Sequence, residues 1–432
     1  MVLTSLAMYA SFAYALHRTD FVKLITLYGA LFYLFYTLIK IEKSTQQVLT
    51  FLSIASRLVF LFAIPNLSQD FYRFIWDGRM FLEGWNPYLY LPEKLIQNNL
   101  APIAQATELY EGMGELSANN YTNYPPVNQL LFLIAAVFSA KHILGAVITL
   151  RVLIILADIG ILYYGKKLLK KLNLPDYYIY LYLLNPFIII ELTGNLHFEG
   201  VMLFFLLLSI YLITIGKWKI AALFIALSIA TKLLPLILLP LLLQKLTLKK
   251  AIVFYTLTLV FTIVMFAPFF SVSFVNSYSQ TIALWFTNFE FNGSIYTIIK
   301  EIGFKIKGYN IIKTVGKITP VIVIAVVLGL TFLRNNKTIP RTIAAMLLAL
   351  SFYFFTASVV HPWYIATLLL LSIFTRFQFP VLWSLTIMLS YYTYSQPEFK
   401  ENYLLLTIQY LPVFLLFLYE VSIKTKKKRI PL

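Results

Sequence analysis

Apolar residues gather in continuous runs of about membrane-spanning length, at positions 2–16, 22–40, 47–65, 143–165, 177–193, 198–216, 250–269, 318–333, 342–359, 379–395 and 403–421. Shorter runs fall at 127–140, 219–231, 233–244 and 363–375. Long unbroken apolar stretches, rather than alternating ones, predict helices buried in lipid. The pattern therefore predicts an all-α, polytopic transmembrane bundle of about 13–14 spans. Positions 66–126 break the pattern with a long polar stretch, which predicts a large loop after the third span.

Composition agrees with a membrane chain. Of 432 residues, 60% are hydrophobic and only 12% charged, where a soluble domain carries about 25% charged residues. Aromatic residues reach 17%, which excludes a disordered chain. Cysteine is absent, so disulfides, thiolate catalysis and Cys-ligated metals are excluded. The first sixteen residues lack a basic leader and a small-residue cleavage site, so they are expected to be a first span.

The formal charge of +17 is placed by the spans rather than by a nucleic acid. Basic clusters flank the apolar runs at Lys40 and Lys43, Lys166 to Lys171, Lys217 and Lys219, Lys245 to Lys250, Arg334 to Arg341, and Lys424 to Arg429. Such clusters mark cytoplasmic ends. The loop 66–126 has the opposite balance, with seven acids and three basic residues, and belongs outside. An odd number of crossings must join it to Lys166, so 143–165 crosses and 127–140 is expected to be interfacial or re-entrant. The stretch 219–244 begins and ends inside, which makes two short crossings and puts Lys232 near their outer tip. Lys300, Lys305, Lys307, Lys313 and Lys317 fall outside by parity. They read either as an amphipathic helix on anionic headgroups or as a basic edge that draws in a lipid phosphate.

Candidate chemistry collects at the outer tips. Asp70 and Asp77 lie two turns apart on one prospective helix face, and Arg73 between them could hold Asp70 ionised. An ionised carboxylate at the membrane edge suits a general base; the same block also fits an interfacial helix with ordinary ion pairs. Gly84-Trp85-Asn86-Pro87-Tyr88 and Tyr121-Thr122-Asn123-Tyr124-Pro125-Pro126 are turn-forming and aromatic, apt either to shape the loop or to touch a substrate. Asn195, His197 and Glu199 share one outer turn; Asn292, Ser294 and Tyr296 share another; His361, Trp363 and Tyr364 a third. Arg151 and Asp158, seven apart inside a span, suggest a mutual or water-bridged pair. No phosphate-binding glycine loop, metal-ligand spacing or transporter-like repeat is evident.

These blocks resemble the polytopic GT-C glycosyltransferases, and among them bacterial mannosyltransferases that use polyprenyl-phosphate sugars. The resemblance rests on Asp70 to Phe74 with Trp76 to Arg79, Gly84 to Tyr88, Tyr124 to Pro126, Asn195 with His197, Lys232 with Pro235, Asn292 with Ser294 and Tyr296, and His361 to Tyr364, over residues 47–365. It implies one transmembrane glycosyltransferase domain over 1–421, whose loop 66–142 carries interfacial helices, and a basic cytoplasmic tail at 422–432. The first two spans, 2–16 and 22–40, precede the usual starting point of the resemblance and are expected to be an addition to it. The active site is expected on the extracytoplasmic side of the cytoplasmic membrane.

The resemblance further implies that Asp70, with Asp77 as the second catalytic candidate, takes a proton from an acceptor hydroxyl in an inverting displacement. Many relatives carry two adjacent acids where this chain has Gln69-Asp70. The departing lipid phosphate needs cations, and the candidates are Lys232, Arg79 and His361. Arg73, Asn86, Tyr88, Tyr124, His197, Glu199, Asn292, Tyr296, Trp363 and Tyr364 complete the expected substrate contacts. The expected partners are a polyprenyl-phosphate sugar, a glycan or glycolipid acceptor and membrane lipid, but no nucleic acid. No cofactor or metal is expected, with a divalent cation left open. The rival reading is a transporter or flippase for a lipid-linked sugar.

Overall fold

The computed structural model describes residues 1–42, 45–139 and 141–423. Lys43 and the basic run Lys424 to Arg429, both assigned above to the cytoplasmic side, lie outside the described residues. Within these segments the chain folds into helices joined by loops, with one isolated bridge between Phe291 and Val359. Among the described residues six helices are long and apolar enough to cross a membrane: Phe21–Ile41, Ile143–Lys171, Leu248–Phe269, Ile312–Phe332, Ile339–Thr356 and Tyr403–Ser422. A broken pair, Pro186–Gly194 with Glu199–Thr214, adds a seventh if counted as one span.

The polytopic bundle is as the hydrophobic pattern predicts, but with fewer unbroken spans than the expected 13–14. Five further apolar helices are short, including Val2–Tyr14, Pro126–Phe138 and Trp218–Thr231. Proline accounts for much of the difference. Pro186 opens a short helix that continues as a π-helical turn over Ile189–Gly194. Pro235 and Pro240 lie in a 3-10 segment, Leu234–Leu242, and Pro380 opens the helix Phe379–Thr386, which runs on as 3-10 turns over Ile387–Ser395. Proline removes a backbone donor and clashes with the preceding turn, so a long apolar run becomes two short pieces.

The breaks build the functional end of the bundle. The π-helical turn and the helix Glu199–Thr214 meet at 113°, and Leu196 between them takes a positive φ of 62°, a conformation that a branched side chain rarely adopts. Lys232 ends the helix Trp218–Thr231 in an extended conformation. Asp70 begins the helix Asp70–Leu82.

That helix packs chiefly on Pro126–Phe138, which starts with proline at its first position, where no backbone donor is missed. Gly78 lets the two approach: a β-carbon there would lie 2.2 Å from the Phe132 carbonyl oxygen. Phe74 stacks on Phe132 at 4.6 Å, and Phe198 meets Phe132 edge-on at 5.5 Å. Each buried phenyl ring contributes roughly 1.5–3 kcal/mol. The aspartate helix is thereby seated against the broken span that carries His197.

Buried Arg151 holds the broken span, and buried Arg57 ties neighbouring helices together. Arg151 donates to the Thr193, Gly194 and Leu61 carbonyls at 2.9, 2.9 and 3.0 Å. Asp158 binds Arg57 at 2.7 Å. The mutual Arg151–Asp158 pair expected from spacing therefore does not form. The irregular turn at 189–194 leaves carbonyls without helical partners, and Arg151 satisfies them instead.

Candidate active site

Asp70 owes its position to the loop before it. Asn66 Nδ2 donates to the Phe12 and Leu16 carbonyls at 2.6 and 2.8 Å, tying this loop to the end of the helix Val2–Tyr14. The Leu67 amide donates to Asn195 Oδ1 at 3.3 Å. Ser68 Oγ accepts from the Asp70 amide at 3.3 Å. Gln69 donates through Nε2 to the Met113 carbonyl at 3.0 Å. An ionised carboxylate at this position could not do so, having no proton to give.

Among the described residues, no hydrogen bond reaches the Asp70 carboxylate, although its helix is well packed. Burial pushes the carboxyl up to about 6, while the Lys232 charge pulls it down, Glu199 pushes it up and Arg18 pulls it down. It is half-buried, unpartnered, and poised to take a proton near neutral pH.

Around it stand residues from four other elements. Lys232 Nζ is ion-paired with Glu199 and lies 6.0 Å from the Tyr364 ring centre. His197 stacks on Trp363 at 3.6 Å, and His361 stacks on the same indole at 4.5 Å. The two imidazoles thus sandwich one tryptophan. Both are held well below the usual histidine range, His361 to about 3, by burial first and the nearby Lys232 charge second. As neutral imidazoles they would meet an anion by donating a hydrogen bond rather than by charge. His197 Nε2, His361 Nδ1 and Glu199 Oε2 are buried without a hydrogen-bond partner. Tyr124 borders the same space, close enough to feel the Asp70 charge.

Other expected residues are engaged elsewhere. Arg73 donates from Nε to Asp77 Oδ1 at 2.8 Å, not to Asp70, because the i to i+4 step brings their side chains together. Gln129 also donates to Asp77, at 3.0 Å. Asp77 is thus a buried carboxylate with both oxygens bonded, joining two helices, whereas Asp70 is left open. Arg79 turns to the Ala104 carbonyl at 2.6 Å and Gln105 Oε1 at 3.0 Å, so it is spent on holding the loop. Asn86 caps the short turn Pro87–Leu89, and the Tyr88 hydroxyl donates to the Tyr124 carbonyl at 2.6 Å. Asn292 donates to the Val360 carbonyl at 3.1 Å, which braces the segment before His361 without facing Asp70. Tyr296 bonds Glu290 at 2.8 Å.

Three nearby groups escape the reading of the sequence. Glu191 accepts from the Tyr391 hydroxyl at 2.7 Å and lies 3.9 Å from His197 Nε2. Tyr391 and Glu191 are 200 positions apart, beyond the reach of any local motif. Arg18 is the third, and parity could have found it: two spans separate its loop from the one carrying Asp70. Among the described residues no group of three or more His, Asp or Glu side chains is placed to hold a metal.

The site thus belongs to a polytopic membrane protein, with an open carboxylate, an ion-paired lysine and stacked aromatics gathered near the broken ends of its helices. The family model of the alpha-(1->6)-mannopyranosyltransferase N-terminal domain (MptA/MptB family) matches residues 5–247, more than half of the chain. The chain belongs to this family, and is a GT-C membrane mannosyltransferase. The match starts at residue 5, so the first two helices fall within the family domain and are not an addition in front of it. Among curated proteins no match was found. Family membership in an enzyme class sets aside the transporter reading.

Proposed function

We propose that this mannosyltransferase takes mannose from a polyprenyl-phosphate donor and joins it to a glycan or glycolipid hydroxyl on the extracytoplasmic side of the cytoplasmic membrane. Asp70 removes the acceptor proton as the acceptor oxygen bonds to the anomeric carbon. The bond from that carbon to the phosphate oxygen breaks, and polyprenyl phosphate leaves with the electron pair. Attack and departure occupy opposite faces of the sugar, so configuration inverts. An alpha-(1->6) product, as the family description names it, then requires a beta-linked donor.

The observation that carries this reading is the contrast between the two aspartates of one helix. Asp77 is saturated by Arg73 and Gln129, whereas Asp70 is unbonded and held near 6. A base must be free to accept a proton, and only Asp70 is. A lipid-borne donor fits a site at helix ends of a membrane bundle. The extracytoplasmic assignment follows from the acidic loop 66–126 and the basic ends opposite it.

The experiment is an assay of purified protein in vesicles with a panel of radiolabelled lipid-phosphate sugars and GDP-mannose, read by product mass and anomeric NMR. Transfer from polyprenyl-phosphate-mannose alone, giving an alpha product, is expected. Transfer from GDP-mannose without lipid, or a retained configuration, overturns the proposal.

A further inference from the structure

The cations first expected at the leaving phosphate do not supply a free charge. Arg79 is bound to the loop, His361 is neutral, and Lys232 is matched by Glu199. A phosphate losing its sugar gains negative charge, and stabilising it calls for a cation not already neutralised.

Arg18 has that property. It sits in the short loop between the helices Val2–Tyr14 and Phe21–Glu42. The helices Phe21–Glu42 and Gln46–Val59 then lead the chain away and back, so this loop and the one bearing Asp70 share one end of the bundle. The guanidinium carbon lies 4.2 Å from the centre of the Tyr394 ring. Its single hydrogen bond among the described residues is a long one, 3.5 Å from Nη1 to the Leu67 carbonyl, which leaves most of the donor fork unused. Among the described residues no carboxylate is within ion-pairing distance of it. Its charge nevertheless reaches Asp70.

We infer that Arg18, held over Tyr394 and against the Leu67 carbonyl, binds the phosphate of the lipid-phosphate donor and of the lipid phosphate that leaves. This rests on the donor class proposed above. The planar fork can grip two phosphate oxygens at once, while the tyrosine face holds the guanidinium without neutralising it. Asp70 addresses the acceptor side of the same sugar.

The test uses purified full-length protein in detergent, with farnesyl phosphate and farnesol as probes followed by thermal shift. The wild type is expected to be stabilised by the phosphate and not by the alcohol. Arg18→Gln is expected to weaken the phosphate effect about ten- to hundredfold in apparent affinity, with the melting temperature of the free protein little changed; Arg18→Lys restores part of it. The donor KM with polyprenyl-phosphate-mannose should rise by a similar factor. If Arg18→Gln gives no cooperative melt, Arg18→Met, which keeps the packed stem, takes its place. A wild type that treats phosphate and alcohol alike defeats the donor reading itself. A wild type that distinguishes them while the Arg18 variants do so equally well defeats only the assignment of Arg18.

Discussion

Replacing Asp70 with asparagine separates catalysis from folding in a way the structure makes quantitative. The change keeps the shape of the side chain and removes the base, so kcat should fall by about 10²–10⁴-fold. Stability should move the other way. In the folded protein the carboxyl is raised from 3.8 to about 6, so between these values the folded state holds more protons than the unfolded one. Stability then falls as pH rises through that window. At about 1.36 kcal/mol per pH unit the full rise would correspond to about 3 kcal/mol; partial solvent access discounts this to roughly 1–2 kcal/mol. Asp70→Asn should therefore melt higher than the wild type at pH 7.5 and equally at pH 3.5. The wild type's kcat/KM should climb with pH to a plateau, with an apparent midpoint near 6. The neighbouring imidazoles stay neutral over this range, with His361 down at about 3, so they add no second inflection. The assay is transfer from polyprenyl-phosphate-mannose in vesicles beside calorimetry of the same preparations. Activity within about threefold of wild type, or a variant less stable at pH 7.5, would refute the reasoning.

Four further outcomes follow from the geometry. Glu199→Gln removes a charge that raises the Asp70 carboxyl and frees one that lowers it, so the acid limb of the rate profile should shift below 6; an unmoved limb removes Glu199 from the site. Lys232→Ala removes a charge that lowers the Asp70 carboxyl and leaves Glu199 unpaired, so the acid limb should move above 6; an unmoved limb removes Lys232 from the site. Asp77→Asn strips the buried Arg73 of its counter-charge and should destabilise by about 3–5 kcal/mol, while protein that does fold keeps most of its kcat. Gly78→Ala drives a β-carbon to 2.2 Å from the Phe132 carbonyl oxygen; backbone must move, and a loss of about 1–3 kcal/mol or more should appear as lowered expression and melting temperature.

How far the sequence carried can be argued from single residues. The bundle was legible because lipid demands long apolar runs, and that demand is written locally. Asp70, His197, Lys232, His361 and Trp363 were legible for a related reason: a polar group beside an apolar run needs an explanation of its own. Pairing was not legible. Spacing joined Arg73 to Asp70 and Arg151 to Asp158, because along one helix both pairs are geometrically allowed. The folded chain offered better partners: Asp77 one turn further on for Arg73, Arg57 across the bundle for Asp158, and the carbonyls freed at 193–194 for Arg151.

The division between Asp70 and Asp77 follows from the same competition. Both aspartates stand on one helix face, and no local rule distinguishes them. What distinguishes them is supply: Arg73 and Gln129 each donate to Asp77, and among the described residues no donor reaches the Asp70 carboxylate. A helix that spent Arg73 on its first residue would stabilise that carboxylate as an anion and weaken it as a base. Leaving Asp70 unbonded instead lets burial raise its proton affinity toward the working range, against the opposing pull of the Lys232 and Arg18 charges. The stabilising contacts of this helix and its chemistry are thus assigned to different carboxylates two turns apart. This is why Asp77→Asn is expected to reduce the amount of folded enzyme and Asp70→Asn its turnover.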